Sequence, residues 1–219
     1  MSNEHKEEKW VKKLCEKIRN NENFKNWAND NIIIEDNVSL AHAINLNDAV
    51  SSNVDNKNDC DRLLINYDNI GSINVNKDAI DGWNVDIFIG SKYKNHIIPR
   101  LVIEAKYRNV NTHDPITYNY KAFMQKKLFK GLRYGLIVGD YSFKRKEENI
   151  YIPSRVIEYG DHFDFVFLLK EEYNDDEIDY LVNIIKKNVE IAIKLERLNI
   201  DQENKYKCIM KNIEFNPKF

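Results

Sequence analysis

Residues 83–107 read WNVDIFIGSKYKNHIIPRLVIEAKY, and this stretch restricts the fold more than any other. Two runs of branched and aromatic residues, 85–89 and 101–107, are separated by a polar link, and such runs fit strands inside a sheet. Each run also carries charge: Asp86 in the first, Glu104 and Lys106 in the second. Unpaired charge in an apolar strand is costly, so the sheet has to form in a way that gives these three groups partners. Side chains two apart in a strand share a face. Glu104 and Lys106 therefore point the same way, while Val102, Ile103 and Ala105 fill the rest of the pleat. Pairing through the 90–99 link brings Asp86 alongside Glu104, so that two carboxylates and an ammonium converge at one end of a short sheet.

The remaining elements follow from periodicity. Residues 3–30 read as one or two amphipathic helices, with Trp10, Leu14, Ile18, Phe24 and Trp27 as an apolar stripe that serves as core. A second short helix is expected over 37–50, a polar loop over 51–61, and short strands at 63–65 and 70–75. Asp114-Pro115 opens a helix that runs to about residue 132, with Asp114 capping it and Pro115 in its first turn. Strands follow at 134–138 and 163–169. A long helix over 175–198 buries Ile178, Leu181, Val182, Ile185, Val189 and Ile193. The order implies an α/β fold, a mixed β-sheet flanked by helices.

At 219 residues the chain suits one domain: an N-terminal helical part (1–80), a central core (81–170) and a C-terminal helix and tail (171–219). No apolar run approaches the ~18–20 residues needed to span a bilayer, and the N-terminus lacks an apolar signal-peptide segment. Cys15, Cys60 and Cys208 lie far apart with no CxxC, which supports neither a disulfide framework nor a zinc knuckle. A cytoplasmic location is the expectation. The net charge of −2 conceals a segregation. Residues 92–146 hold 13 Lys and Arg against Glu104, Asp114 and Asp140, whereas residues 147–179 hold 11 acidic residues against Arg155 and Lys170. The first block is expected to present a positive cleft to a polyanion.

Two carboxylates and a lysine in this arrangement can hold Mg²⁺ against a phosphodiester. Mg²⁺ takes one or two carboxylates plus water and phosphate oxygens. The alternative is a strand-edge ion pair between Glu104 and Lys106, which would stabilise by only ~0–1 kcal/mol. Asp86, a 17-residue spacer and then Glu104-Ala105-Lys106 resembles the signature of the PD-(D/E)xK nucleases, and the region to Gly139 is similar to type II restriction endonucleases of that superfamily. Val85 stands where the signature often has proline. The resemblance implies a restriction-endonuclease-like core in which Asp86, Glu104 and the carbonyl of Ala105 hold Mg²⁺. It also implies that Lys106 orients the attacking water and that the products carry a 5′-phosphate and a 3′-hydroxyl. Asp81 replaces Asp86 if the register differs. A further glutamate from an N-terminal helix is common in the family, and Glu16 and Glu35 are the candidates.

In the resembled fold the helix after the motif lies beside the active site. Here it offers Tyr118, Tyr120, Lys121, Gln125, Lys126, Lys127 and Lys130 to DNA, and the preceding loop adds Arg108 and Asn111. The 125–129 segment resembles a QxxxY motif of exonuclease relatives, but Phe129 stands in place of the tyrosine. Loops 108–113 and 143–155 carry residue types that read base edges. His113 is read as polar surface. The expectation is a Mg²⁺-dependent, sequence-specific double-stranded DNA endonuclease of the type II restriction kind, acting as a homodimer because two strands need two active sites. A structure-specific or repair nuclease of the same fold, or a catalytically silent DNA-binding module, stands as the alternative.

Overall fold

The computed structural model describes residues 3–41, 65–66, 82–93, 96–108, 110–129, 131–139, 154–170 and 172–206. Helices α1 (Asn3–Asn20) and α2 (Glu22–Ala28) lead into strand β1 (Ile32–Ala41). Strands β2 (Ile65–Asn66), β3 (Gly82–Tyr93) and β4 (His96–Tyr107) follow, then helix α3 (His113–Leu128) and strand β5 (Arg133–Gly139). The short helix α4 (Ser154–Tyr159), strand β6 (Phe165–Leu169) and helix α5 (Asp175–Tyr206) complete the order.

The sheet runs β1-β3-β4-β5-β6, with β2 paired to the start of β4. β1, β3 and β4 are antiparallel neighbours, whereas β4, β5 and β6 are parallel. The fold is thus α/β, a mixed sheet flanked by helices. β4 is central, and Leu101 to Ala105 are buried on both faces, as its unbroken apolar run requires. Pro99 interrupts that run without breaking the strand, because the β3–β4 register shifts between Ile89 and Gly90, opposite it.

Two cores sandwich the sheet. On one face Ile87, Ile89, Leu101, Ile103, Ala105 and Ile137 pack under α1, α2 and α5 through Leu14, Ile18, Phe24, Leu181 and Ile185. On the other, Phe88, Val102 and Tyr134 pack under α3 through Ala122. From Leu101 on, the odd-numbered residues of β4 therefore face α1 and α5, and the even-numbered ones face α3, whereas before the register shift Ile97 packs on the α3 side. That parity places Glu104 and Lys106 on the α3 side.

The sheet opens where these charges lie. The β3–β4 ladder runs only as far as Ile87 opposite Ile103. On the other edge of β3 the ladder to β1 pairs Asp36 with Ile87 and Val38 with Val85, passing over Asp86 and Asn37. Asn37 takes a left-handed φ of 51° there. Beyond Ile103, β4 continues only along β5, as far as Tyr107 opposite Gly139.

Several sequence expectations need correction. No helix begins at residue 37, since Val38 to Ala41 pair with β3 and strand pairing overrides local propensity; residues 42–50 lie outside the described set. Part of the 143–155 loop belongs to α4, whose Val156 is buried against β5. α3 ends at Leu128, short of 132, and α5 continues to Tyr206, past 198. Asp114 does not cap α3. Asn111 Oδ1 accepts the N–H groups of His113 (2.9 Å) and Asp114 (3.2 Å), and Asp114 Oδ2 accepts Asn111 N–H (2.8 Å). The 51–61 loop, the 70–75 strand, Cys60 and Cys208 lie outside the described residues. Cys15 is a free, buried thiol, pushed up to about 12 by desolvation. Among the described residues no helix is long and apolar enough to cross a membrane.

Candidate active site

Asp86 occupies the gap where both of its ladders lapse. Its Oδ2 accepts the N–H of Ala105 at 2.7 Å, which the β3–β4 ladder would otherwise leave without a partner. In a strand the N–H and C=O of one residue point to the same side, so the Ala105 carbonyl is directed toward Asp86 as well. Glu104 is almost completely buried, at 1% exposure, and its carboxyl group shares a hydrogen bond with Asp86. The Tyr134 hydroxyl donates to Glu104 Oε1 at 2.8 Å, and the Lys121 ammonium lies 3.2 Å from the same oxygen.

Burial and the adjacent Asp86 charge push Glu104 up to about 8. Burial also raises Asp86, opposed by the Ala105 N–H and the hydrogen bond to Glu104. Glu104 is thus harder to ionise beside an ionised Asp86 than it would be alone. Two carboxyl groups forced together in this way have room for one negative charge unless a cation joins them.

Lys106 stands beside the pair but is held by other groups. Its ammonium lies 3.5 Å from Asp114 Oδ1 at the start of α3 and 3.6 Å from Glu7 Oε2 on α1. Glu7 Oε2 also accepts the N–H of Tyr107 at 3.0 Å. Burial raises the Glu7 carboxyl, and the Tyr107 N–H and Lys106 oppose that. Tyr118, on α3, lies among these carboxylates: burial first, then Glu104, Asp86, Glu7 and Asp114, hold its hydroxyl protonated. Four carboxylates thus gather around two ammoniums, Lys106 and Lys121, and the cluster when fully ionised is two positive charges short of neutral. Among the described residues no three His, Cys, Asp or Glu side chains are placed to hold one ion together. An all-oxygen pair of carboxyl groups, with a backbone carbonyl alongside, suits a hard divalent cation that keeps most of its water.

The structure brings together Asp86, Glu104, Ala105 and Lys106. The N-terminal glutamate beside them is Glu7. Glu16 is exposed, and Glu35 pairs with Arg19 at 3.3 Å. Asp81 lies outside the described residues. Glu7 gave no signal in the sequence, because its approach depends on how α1 crosses the end of β4. Tyr134 was legible only as a strand residue, and Lys121 only as part of a basic helix.

The expected DNA-contacting set divides. Gln125 is fully buried, donating to the Leu40 carbonyl at 3.3 Å, so it cannot reach a groove. Lys126 is tied to Asp164 Oδ2 (2.8 Å) and to the His162 carbonyl (2.7 Å). Tyr118 and Lys121 belong to the carboxylate cluster. Arg108, Asn111, Tyr120 and Lys127 are exposed. Arg108 lies over the Tyr107 ring, Tyr120 against Trp83, and Lys127 over Phe123. Lys130 lies outside the described residues. Five of the cations described in the 92–146 block are drawn into ion pairs, and Lys94, Lys130, Lys144, Arg145 and Lys146 lie outside the described residues. Arg100 pairs with Glu196 at 2.7 Å and Arg133 with Asp164 at 2.9 Å, while Lys106, Lys121 and Lys126 also have carboxylate partners. For Arg100, Lys126 and Arg133 the partner comes from outside that block.

The chain matches no known family model and no curated protein.

Proposed function

We propose that this chain is a Mg²⁺-dependent endonuclease with a restriction-endonuclease-like core, acting on double-stranded DNA as a homodimer in the manner of a type II restriction enzyme. The observation that carries the reading is the Asp86–Glu104 pair. A buried Glu104 and a half-buried Asp86, both raised by desolvation, meet at the point where β3 and β4 part, with Lys106 and the Ala105 carbonyl beside them. A protein has little structural reason to keep such a pair, since buried charge is more often destabilising than replaceable apolar packing.

Mg²⁺ bound there would supply charge neutralisation of the phosphate and a lowered pKa for the attacking water. Asp86 and Glu104 would hold the ion, with the Ala105 carbonyl kept in place by the Asp86 hydrogen bond. The Tyr134 hydroxyl orients the Glu104 carboxylate. Lys106, steadied by Glu7 and Asp114, orients the water and stabilises charge on the phosphoryl oxygens. Arg108 and Asn111, exposed on the loop between β4 and α3, would meet the DNA backbone or a base edge.

The test is cleavage of unmethylated phage DNA with Mg²⁺ by wild type, Asp86→Asn, Glu7→Gln and Lys106→Ala. Wild type should give discrete fragments, Asp86→Asn and Lys106→Ala should lose at least ~10²-fold in rate, and Glu7→Gln about tenfold as an indirect support. Fragments that persist undiminished in Lys106→Ala would remove Lys106 from the chemistry. Cleavage of branched DNA alone would select the structure-specific nuclease, and binding without cleavage under any divalent ion would select the silent DNA-binding module.

A further inference from the structure

Lys106 is the lysine of the signature, yet Lys121 is the one in contact with Glu104. Its ammonium lies 3.2 Å from Glu104 Oε1 and 3.0 Å from the Asn84 carbonyl oxygen, and 5.6 Å from the Tyr118 ring centroid. Glu104 Oε1 therefore carries two donors, Lys121 and the Tyr134 hydroxyl. An oxygen with two lone pairs engaged in this way has none left for a metal. One donor must leave before Oε1 can ligate. Tyr134 is fully buried within β5 and has a rigid ring. Lys121 ends a flexible four-carbon arm from α3, its side chain 19% exposed. Lys121 is the group able to withdraw.

We infer that Lys121 is a cation placeholder: its ammonium occupies the charge position of the carboxylate pair, and an incoming divalent ion displaces it from Glu104. The inference rests on the metal-dependent reading above. Exchange of one cation for another keeps the buried carboxylates compensated in both states, which avoids the high cost of an unpaired buried charge. It also places a second ammonium beside Lys106 only once metal is bound, available to a phosphate oxygen of the incoming strand. Because the two cations compete, apparent metal affinity is lowered by the strength of the Lys121–Glu104 contact.

The experiment is isothermal titration calorimetry of the full chain with Ca²⁺ alone, without nucleic acid, at pH 8.5. Wild type is compared with Lys121→Gln, Lys121→Met and Lys121→Arg, each first checked for native circular dichroism. Removing the competing charge should tighten Ca²⁺ binding about tenfold in the Gln and Met variants, equivalent to about 1.4 kcal/mol. The Arg variant, which keeps the charge, should stay near wild type. Wild-type binding that is unchanged or weakened in both neutral variants would show that Lys121 is not displaced, while the carboxylate pair remained a metal site. No binding by wild type or any variant would overturn the metal reading and this inference together.

Discussion

Replacing Glu104 with glutamine should stabilise the fold while abolishing any metal-dependent activity. Glu104 moves from 4.5, its ordinary value, to about 8 in the folded chain, chiefly through burial and the adjacent Asp86 charge. Between those two values the folded state holds a proton that the unfolded state has released, so stability falls as pH rises. At 1.36 kcal/mol per unit the gross penalty at high pH is about 5 kcal/mol, of which about 3 kcal/mol develops between pH 5.5 and 8.5. Glutamine keeps an oxygen to accept from Tyr134 and Lys121 and adds an N–H₂ for Asp86. The main loss is the charge partner of Lys121, whose partly exposed arm can turn to solvent. A net gain of about 3 kcal/mol at pH 8.5 is therefore expected, shrinking to about zero at pH 5.5. The assay is urea unfolding of wild type and Glu104→Gln at both pH values. Asp86 and Glu7, both raised by burial, remain in the variant, so the comparison reports Glu104 together with its coupling to Asp86. An equal fall in stability between pH 5.5 and 8.5 in both proteins would refute the reasoning, as would a variant less stable than wild type at pH 8.5. A buried charge whose removal stabilises is the mark of a residue kept for function.

Two further substitutions test how the scaffold supports the site. A Cβ at Gly139 would overlap the Trp10 indole, so Gly139→Ala should destabilise by ~1–3 kcal/mol and displace α1, which carries Glu7 one turn away from Trp10. Urea titration checks this, and an unchanged midpoint would refute the close packing. Asp164 accepts Tyr134 N–H (2.6 Å) and pairs with Lys126 and Arg133, so Asp164→Ala strands two cations and should cost about 2–4 kcal/mol. A loss under ~0.5 kcal/mol in the same assay would show those ion pairs to be solvent-compensated.

The sequence by itself determined the parts that depend on short spacing. Alternation and apolar runs placed β3, β4, β5, β6 and the long helices, because burial of one stripe or both faces leaves a periodic mark. The same periodicity put Glu104 and Lys106 on one face, and the link between the two runs brought Asp86 next to Glu104. Only the tertiary structure decided which groups complete the cluster. Glu7 arrives from a helix whose crossing over β4 is set by packing of Trp10 and Leu14, and Tyr134 from a parallel strand whose register with β4 is a long-range property. Lys121 and Gln125 sit four apart on one helix, both polar, yet one meets the carboxylates and the other enters the core, a choice made by the angle at which α3 lies on the sheet. The ion-pair partners of the basic block were hidden in the sequence for the same reason. Charge along a sequence records neighbours in the chain, whereas the partners of Lys126, Arg133 and Arg100 come from Asp164 and Glu196, far along it. Local pattern encodes which face a residue takes; what waits on that face is settled by packing between elements distant in sequence.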